Sequence, residues 1–257
     1  MFQPRNYKMR ISIIIPAHNE EHSIAETISR IENAVKREHE IIVVDDYSTD
    51  TTKAISRALQ ADNINLIVTD NKGKQGFSNA LQTGFSFARY ELVVPIMADL
   101  CDDPHTINKM YSKILDGFDI VCGSRYIKGG KKDGGPFLKG VLSCLAGKSL
   151  RILTGIPTSD ITNAFKMYRK STIQSIDMQA KGFEISMEIT LKAYFKDFRI
   201  TEVPTVWRAR TMGKSSFKLL KYVFNYLRLY LWAINASIAR IFSKLSFLFT
   251  SSSNDDG

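Results

Sequence analysis

Apolar residues along the chain fall into short continuous runs that alternate with stretches where they recur every three to four positions. The run Ile-Ser-Ile-Ile-Ile at 11–15 ends at Pro16 and reads as a buried strand, and residues 21–37 then carry Ile24, Ile28, Ile31 and Val35 at helical spacing. The unit repeats. Residues 40–44 predict a second strand closing on Asp45 and Asp46, 51–61 a second helix, 64–69 a third strand, 79–89 a third helix, and 92–97 a fourth strand leading into Asp99. This alternation predicts an α/β fold with a mostly parallel sheet covered by helices on both faces. In such sheets ligands bind beyond the carboxyl ends of the strands, which gathers His18-Asn19-Glu20, Asp45-Asp46 and Asp99 around one crevice.

The second half is less regular. Residues 119–124 read as a strand, 129–135 as a flexible basic loop with four glycines, 136–154 as a helix, and 165–168, 199–203 and 205–207 as short apolar pieces with helices between them. Residues 217–249 predict a helix with Lys218, Lys221, Asn225, Arg228 and Asn235 on a narrow stripe, and Phe217, Leu220, Val223, Phe224, Leu227, Leu231 and Ile234 over the rest. Its longest uncharged stretch, 229–239, has 11 residues, against roughly 20 needed to cross a bilayer. An interfacial helix is therefore expected, with a helix that closes the core or a dimer interface as the alternative. The expected division is an α/β domain over 10–216, basic amphipathic helices over 217–250 and a polar tail over 251–257.

Composition adds compartment and partners. A chain of 257 residues with 44% hydrophobic and 24% charged side chains buries a core without disulfides or a structural metal. Cys101, Cys122 and Cys144 form no CxxC pair, which predicts buried thiols in a reducing, cytoplasmic setting. No signal peptide is expected, since the apolar run at 11–17 is short and runs straight into His18, Asn19, Glu20 and Glu21. Lys and Arg total 35 against 26 acids, a net +9, and residues 203–250 hold eight basic side chains and no acid. Such a region attracts phosphate, on a nucleotide or an anionic membrane surface. A nucleic-acid partner is not expected, because the cations are interleaved with an apolar helix face rather than an aromatic stacking platform.

Acids at strand ends with cations nearby suit a diphosphate and a divalent metal, because carboxylate oxygens hold Mg or Mn while the ion bridges phosphate oxygens. Asp99 is the first candidate ligand, with Asp102 and Asp103 close behind, and Asp103 before Pro104 equally fits a helix cap. Asp45 and Asp46 are candidates for a ribose or base.

Three segments in order make the pattern specific: residues 13–20 (IIIPAHNE), 43–52 (VVDDYSTDTT) and 97–100 (MADL). Together they resemble the family 2 inverting glycosyltransferases of GT-A fold. Residues 123–130 (GSRYIKGG), 160–166 (DITNAFK), and Val203-Pro204 followed by Arg210 and Gly213-Lys214-Ser215 are similar to the dolichol-phosphate mannose synthase branch. Members of that branch move a sugar from a nucleotide diphosphate to a polyprenyl phosphate. The resemblance covers about residues 10–216. It implies that Pro16, Ala17, His18, Glu20 and Asp46 line the nucleotide, with His18 where the family usually has Tyr, and that Asp99 takes Mg or Mn. It further implies that Arg125 and Arg210 face phosphates of the donor or of the lipid acceptor, joined by Lys139, Lys214 and Ser215, and that Glu184 or Glu188 lies on the acceptor side. Five positions depart from the family: Met97 for Asp, Cys101 for Gln, Asn163-Ala164 for Ser-Gly, and Ser216 for Lys. A thioether cannot replace an oxygen ligand for Mg or Mn, so Asp102 or Asp103 is expected to make up the missing charge.

The expected activity is inverting, metal-dependent sugar transfer from a GDP- or UDP-hexose to a polyprenyl phosphate, by a protein attached peripherally to the cytoplasmic face of a membrane. An ionised phosphate attacks without a general base. The alternatives are transfer to a sugar hydroxyl of a glycolipid or polysaccharide, which needs a base from Glu184, Asp160 or Asp102, and a nucleotide-binding homologue that has lost its chemistry at Met97.

Overall fold

In the computed structural model of the chain, which describes residues 8–210 and 219–252, the continuous apolar runs become the centre of one sheet. Strands β1 (Ile11–Ala17), β2 (His39–Asp45), β3 (Leu66–Asp70) and β4 (Leu92–Pro95) are separated by helices α1 (Ile24–Ala34), α2 (Thr52–Ala61) and α3 (Phe77–Phe87). Helix α4 (Thr106–Leu115) leads to β5 (Ile120–Ser124), and the short β6 (Lys131–Asp133) precedes the long α5 (Phe137–Thr154). The chain continues through β7 (Lys166–Arg169), α6 (Lys170–Gln174), α7 (Ile185–Phe195), β8 (Ile200–Pro204), β9 (Val206–Arg208) and α8 (Leu219–Ser252).

The large sheet has the order β3-β2-β1-β4-β7-β5-β8. Its strands run parallel except β7, which is antiparallel to both β4 and β5. Successive side chains of a strand point to opposite faces, and both faces are covered here. Ile11, Ile13 and Ile15 enter one core with α1 and α4, while Ile14, Ile42 and Val44 enter a second with α3 and α7. Burial on both sides is why these strands read as unbroken apolar runs rather than as alternation.

Element boundaries shift from the expected ones for local reasons. Helix α1 stops at Ala34 because Val35 turns extended (φ −84°, ψ 114°) and buries its side chain in the first core. The expected loop at 129–135 contains β6, which pairs in parallel with β9 in a two-stranded sheet. Lys-Lys-Asp offers no apolar alternation, so only the partner strand makes it a strand. Helix α5 ends at Gly155, whose left-handed φ of 77° lets its N–H reach the Arg151 carbonyl.

Helix α8 inverts part of its expected polarity. Leu229 and Ala233 are buried against Leu150 of α5 and Met187 and Leu191 of α7, and Asn225 faces Glu184 rather than solvent. The opposite side exposes Phe224, Leu227, Leu231, Trp232, Ile238 and Phe242. The helix therefore closes a third core on one face and leaves an apolar face outward on the other. Lys218, Lys214, Ser215 and Ser216 lie outside the described residues.

Candidate active site

The carboxyl ends of β1, β2, β4, β5 and β8 share one edge of the sheet, and the antiparallel β7 begins there, so the loop preceding it joins them. Non-glycine residues in the left-handed region mark this edge: Asn19 (φ 54°) follows β1, Tyr47 (φ 60°) follows β2 and Leu100 (φ 61°) follows β4. Such backbone strain persists where surrounding contacts over-determine the turn. Here the turns are laced together. Glu20 N–H donates to Thr52 Oγ1 at 2.8 Å, Thr49 N–H to Asn19 Oδ1 at 2.8 Å, and the Thr51 N–H and hydroxyl both to Glu21 Oε2.

On the β1–β2 side, Asp46 N–H donates to the Ala17 carbonyl, and His18 Nδ1 lies 2.8 Å from the Asp46 carbonyl. Pro16 and Ala17 are buried beneath this turn. The two neighbouring acids divide. The Asp46 carboxylate accepts the Gly76 N–H at 3.0 Å and Asn71 Nδ2 at 2.7 Å, so it builds the 71–76 turn. Asp45 is buried, and its Oδ1 has no hydrogen-bond partner among the described residues. A buried acceptor left without a donor is costly in a finished core, which makes Asp45 Oδ1 the atom on this side suited to a ligand's donor. Asn71, Gln75 and Gly76 were not among the expected site residues; Gln75 Nε2 lies 3.3 Å from His18 Nδ1. Gly76, at φ 144°, is the sequence signal for that turn.

Beyond β4, Asp99 Oδ1 accepts the Cys101 N–H at 3.1 Å, and Oδ2 accepts Arg210 Nη2 at 2.8 Å. The same Nη2 lies 3.5 Å from Glu20 Oε1, while Glu20 Oε2 takes the Ser23 hydroxyl at 3.0 Å. Burial pushes the Glu20 carboxyl up, opposed by Arg210. Burial and the Asp99 charge push the Cys101 thiol up, so it stays protonated. Arg210 reaches across because β9 is tied to the loop after Asp99 through the Arg208 N–H and the Cys101 carbonyl.

The other expected acids behave differently. Asp102 is buried and pushed up to about 7, first by burial and then by the Asp99 charge. Asp103 Oδ1 accepts the His105 N–H at 3.1 Å in the turn that leads into α4. Met97 packs against the second core. Among the described residues no group of three or more His, Cys, Asp or Glu side chains could enclose a metal by itself. What remains is one carboxylate edge at Asp99 beside Glu20, a donor set suited to a hard cation whose other ligands are phosphate oxygens and water.

On the β5 side, Arg125 forms a two-pronged pair with Asp160, Nε to Oδ2 and Nη2 to Oδ1 both at 2.7 Å, and its backbone N–H adds a third bond at 2.9 Å. Burial pulls down on the Arg125 guanidinium, but the Asp160 carboxylate more than offsets this and holds it above its ordinary value. Both Asp160 oxygens are thus occupied. The loop carrying Asp160 is fixed by Asn163 Nδ2 on the Gly123 carbonyl and by the fully buried Lys166, whose Nζ donates to the Ile161 and Ser186 carbonyls and Thr190 Oγ1. Lys139 sits in the first turn of α5. Glu188 is consumed by the Gln179 and Ala180 N–H groups and Lys192. Glu184 Oε1 accepts Gly182 N–H and Asn225 Nδ2, and its buried Oε2 has no partner among the described residues.

Residues 12–177 match Glycosyl transferase family 2. Dolichol-phosphate mannosyltransferase of Pyrococcus furiosus is 36% identical over 225 residues, 86% of this chain, which spans only 62% of that relative's length. Polyprenol monophosphomannose synthase of Mycolicibacterium smegmatis is 32% identical over 80% of both chains. Among solved structures, glucosyl-3-phosphoglycerate synthase from Mycobacterium tuberculosis in complex with uridine diphosphate superimposes with a TM-score of 0.68 at 20% identity, covering 88% of this chain and 80% of that one. Its complex with Mn2+, uridine diphosphate and glucosyl-3-phosphoglycerate gives 0.64 at 19% identity, over 89% and 80%. The fold is thus GT-A-like, and with the strand-end turns at 13–20 and 43–52 inside the matched region, the chain belongs to glycosyl transferase family 2.

Proposed function

We propose that the chain transfers a hexosyl group from a nucleoside diphosphate sugar to a polyprenyl phosphate, with inversion at the anomeric carbon. The observation that carries this is the meeting of Glu20, Asp99 and Arg210 at the strand-end edge of the sheet that also holds Asp45, in a chain matching polyprenyl-phosphate mannosyltransferases over 80% or more of its length. Asp45 Oδ1 accepts a hydrogen bond from the base or ribose, and the 71–76 turn held by Asp46 walls the nucleotide. Asp99 would hold a divalent Mg or Mn, which when bound supplies Lewis-acid stabilisation of the leaving diphosphate. Arg210 contributes a planar, permanently charged donor for phosphate oxygens.

Attack by an ionised acceptor phosphate needs no base, and the occupancy of both Asp160 oxygens by Arg125 favours this over a sugar-hydroxyl acceptor served by Asp160. Arg125 is instead a fixed cation beside the acceptor path.

The acceptor's lipid tail calls for a membrane seat. No helix among the described residues is long and apolar enough to cross a membrane. Helix α8 exposes Phe224, Leu231 and Phe242, and α5 beside it exposes Phe137, Leu138, Leu145 and Ile152, so two packed helices offer an apolar platform for peripheral attachment. The three free thiols fit the cytoplasmic face.

The test is incubation of the purified protein with GDP- and UDP-hexoses, mannose first, polyprenyl phosphate and Mg or Mn, with lipid products read by mass spectrometry. A polyprenyl-phosphate hexose is the expected product. Transfer only to sugar hydroxyls, or nucleotide binding without any product, would overturn the assignment.

A further inference from the structure

Two roles meet at one nitrogen. Asp99 and Glu20 each spend one oxygen on their own loop, at the Cys101 N–H and the Ser23 hydroxyl, and turn the other toward Arg210 Nη2, at 2.8 Å and 3.5 Å. The three side chains are largely withdrawn from solvent, with 12%, 16% and 19% exposed for Asp99, Glu20 and Arg210. Arg210 pairs with Asp99 and Glu20 rather than with the acids expected to compensate for Met97, of which Asp102 is buried and Asp103 Oδ1 takes the His105 N–H. Glu20, 79 residues before Asp99 in the chain but brought beside it by the parallel pairing of β1 and β4, is the second carboxylate.

We infer that Asp99 and Glu20 form a single cation seat, that Arg210 occupies it when no divalent ion is present, and that Arg210 and the ion exclude one another from it. This rests on the reading of Asp99 as the metal residue. The physical ground is that both cations need the same Asp99 Oδ2 lone pairs, and a guanidinium that cannot lose its charge repels a divalent ion at that range. Arrival of an ion with a diphosphate would send Arg210 from the carboxylates to phosphate oxygens, exchanging a single positive charge at the seat for a double one. Arg210 is then a gate on metal binding as well as a phosphate ligand.

The probe is Mn2+ alone, titrated into the full chain without nucleotide and followed by the electron paramagnetic resonance signal of free Mn2+. Arg210→Ala is expected to bind Mn2+ roughly ten- to a hundredfold more tightly than wild type, the size of a lost charge-assisted hydrogen bond. Arg208→Ala removes the same charge two residues away and is expected to leave binding unchanged. Adding Glu20→Gln or Asp99→Asn to Arg210→Ala is expected to abolish the gain. Mn2+ should also raise the melting temperature of Arg210→Ala more than that of wild type. Should Arg210→Ala not fold, Arg210→Gln carries the same expectation. Equal affinity of wild type and Arg210→Ala, an equal gain in Arg208→Ala, or a gain that survives Glu20→Gln would overturn the inference. If the gain survives Asp99→Asn, the reading of Asp99 itself fails; if binding depends on Asp99 but ignores Arg210, only the gate fails.

Discussion

At Asp99 the expected chemistry depends on charge rather than shape, so Asp99→Asn should keep the fold and lose transfer. Removal of one such group is worth on the order of 3 kcal/mol of transition-state stabilisation, a rate loss of about a hundredfold or more; wild-type turnover in that variant would remove Asp99 from the mechanism. The Arg125–Asp160 pair should answer in stability first. Asp160→Ala leaves a buried guanidinium without its carboxylate and should cost about 3–5 kcal/mol in denaturant melts, while Arg125→Met with Asp160→Leu should recover much of that without recovering activity. Asp102 supplies a pH signature. Its folded value of about 7 lies above the ordinary carboxyl value near 4, so the folded state holds the proton more tightly than the unfolded chain. Stability is therefore undiminished by Asp102 below about pH 4 and falls as pH rises to about 7. Asp102→Asn should gain on wild type across that interval and hold a constant lead above it, and a pH-independent difference between the two would contradict this.

At the scale of elements, the acid and cation of each pair are brought together by loops that helices hold down. Helix α5 presses so closely on the loop before Asp160 that a Cβ on Gly147 would sit 2.1 Å from the Ser159 carbonyl oxygen. Gly147→Ala should therefore cost about 1–3 kcal/mol and displace Asp160, visible as lower activity together with a lower melting temperature. Glu202 of β8 closes the same loop from the other side, taking Arg151 of α5 at 2.6 Å and the Ser159 N–H at 2.8 Å. Lys166 works from beneath, where burial lowers its pKa against the pull of Cys122 and Asp160. A cation placed there holds three acceptors of the loop and α7 at once, which an apolar side chain could not satisfy.

For the whole molecule, α8 both seals a core and faces outward. Tyr230 of α8 donates its hydroxyl to Ser149 of α5 at 2.9 Å, and Arg240 pairs with Asp197 after α7, so the exposed apolar row is held against the catalytic body. In the proposed membrane seat that row would face lipid. Phe224→Glu and Phe242→Glu, which replace residues 75% and 67% exposed, should each weaken pelleting with anionic vesicles about tenfold while leaving the melting temperature near wild type. Unchanged pelleting in both would take α8 out of the membrane contact.

The hydrophobic pattern by itself determined the parallel half of the sheet and its helices, because strands buried on two faces and amphipathic helices each leave a local periodicity that survives without the fold. It likewise determined that Asp45 and Asp46 stand at the close of β2 and that Asp99 lies in the loop after β4, since strand length and the polar step after it are both local. What these acids do was decided only by tertiary structure. Nothing local distinguishes Asp45, left with an unpartnered oxygen, from Asp46, spent on the Gly76 turn. Nothing local pairs Arg125 with Asp160 or Arg210 with Asp99 and Glu20, and β6 is a strand only because β9 lies beside it. Hydrogen bonds and ion pairs between residues distant in the chain carry no periodic signature; which partner a charge meets is fixed by how loops from separate strands pack at one edge of the sheet.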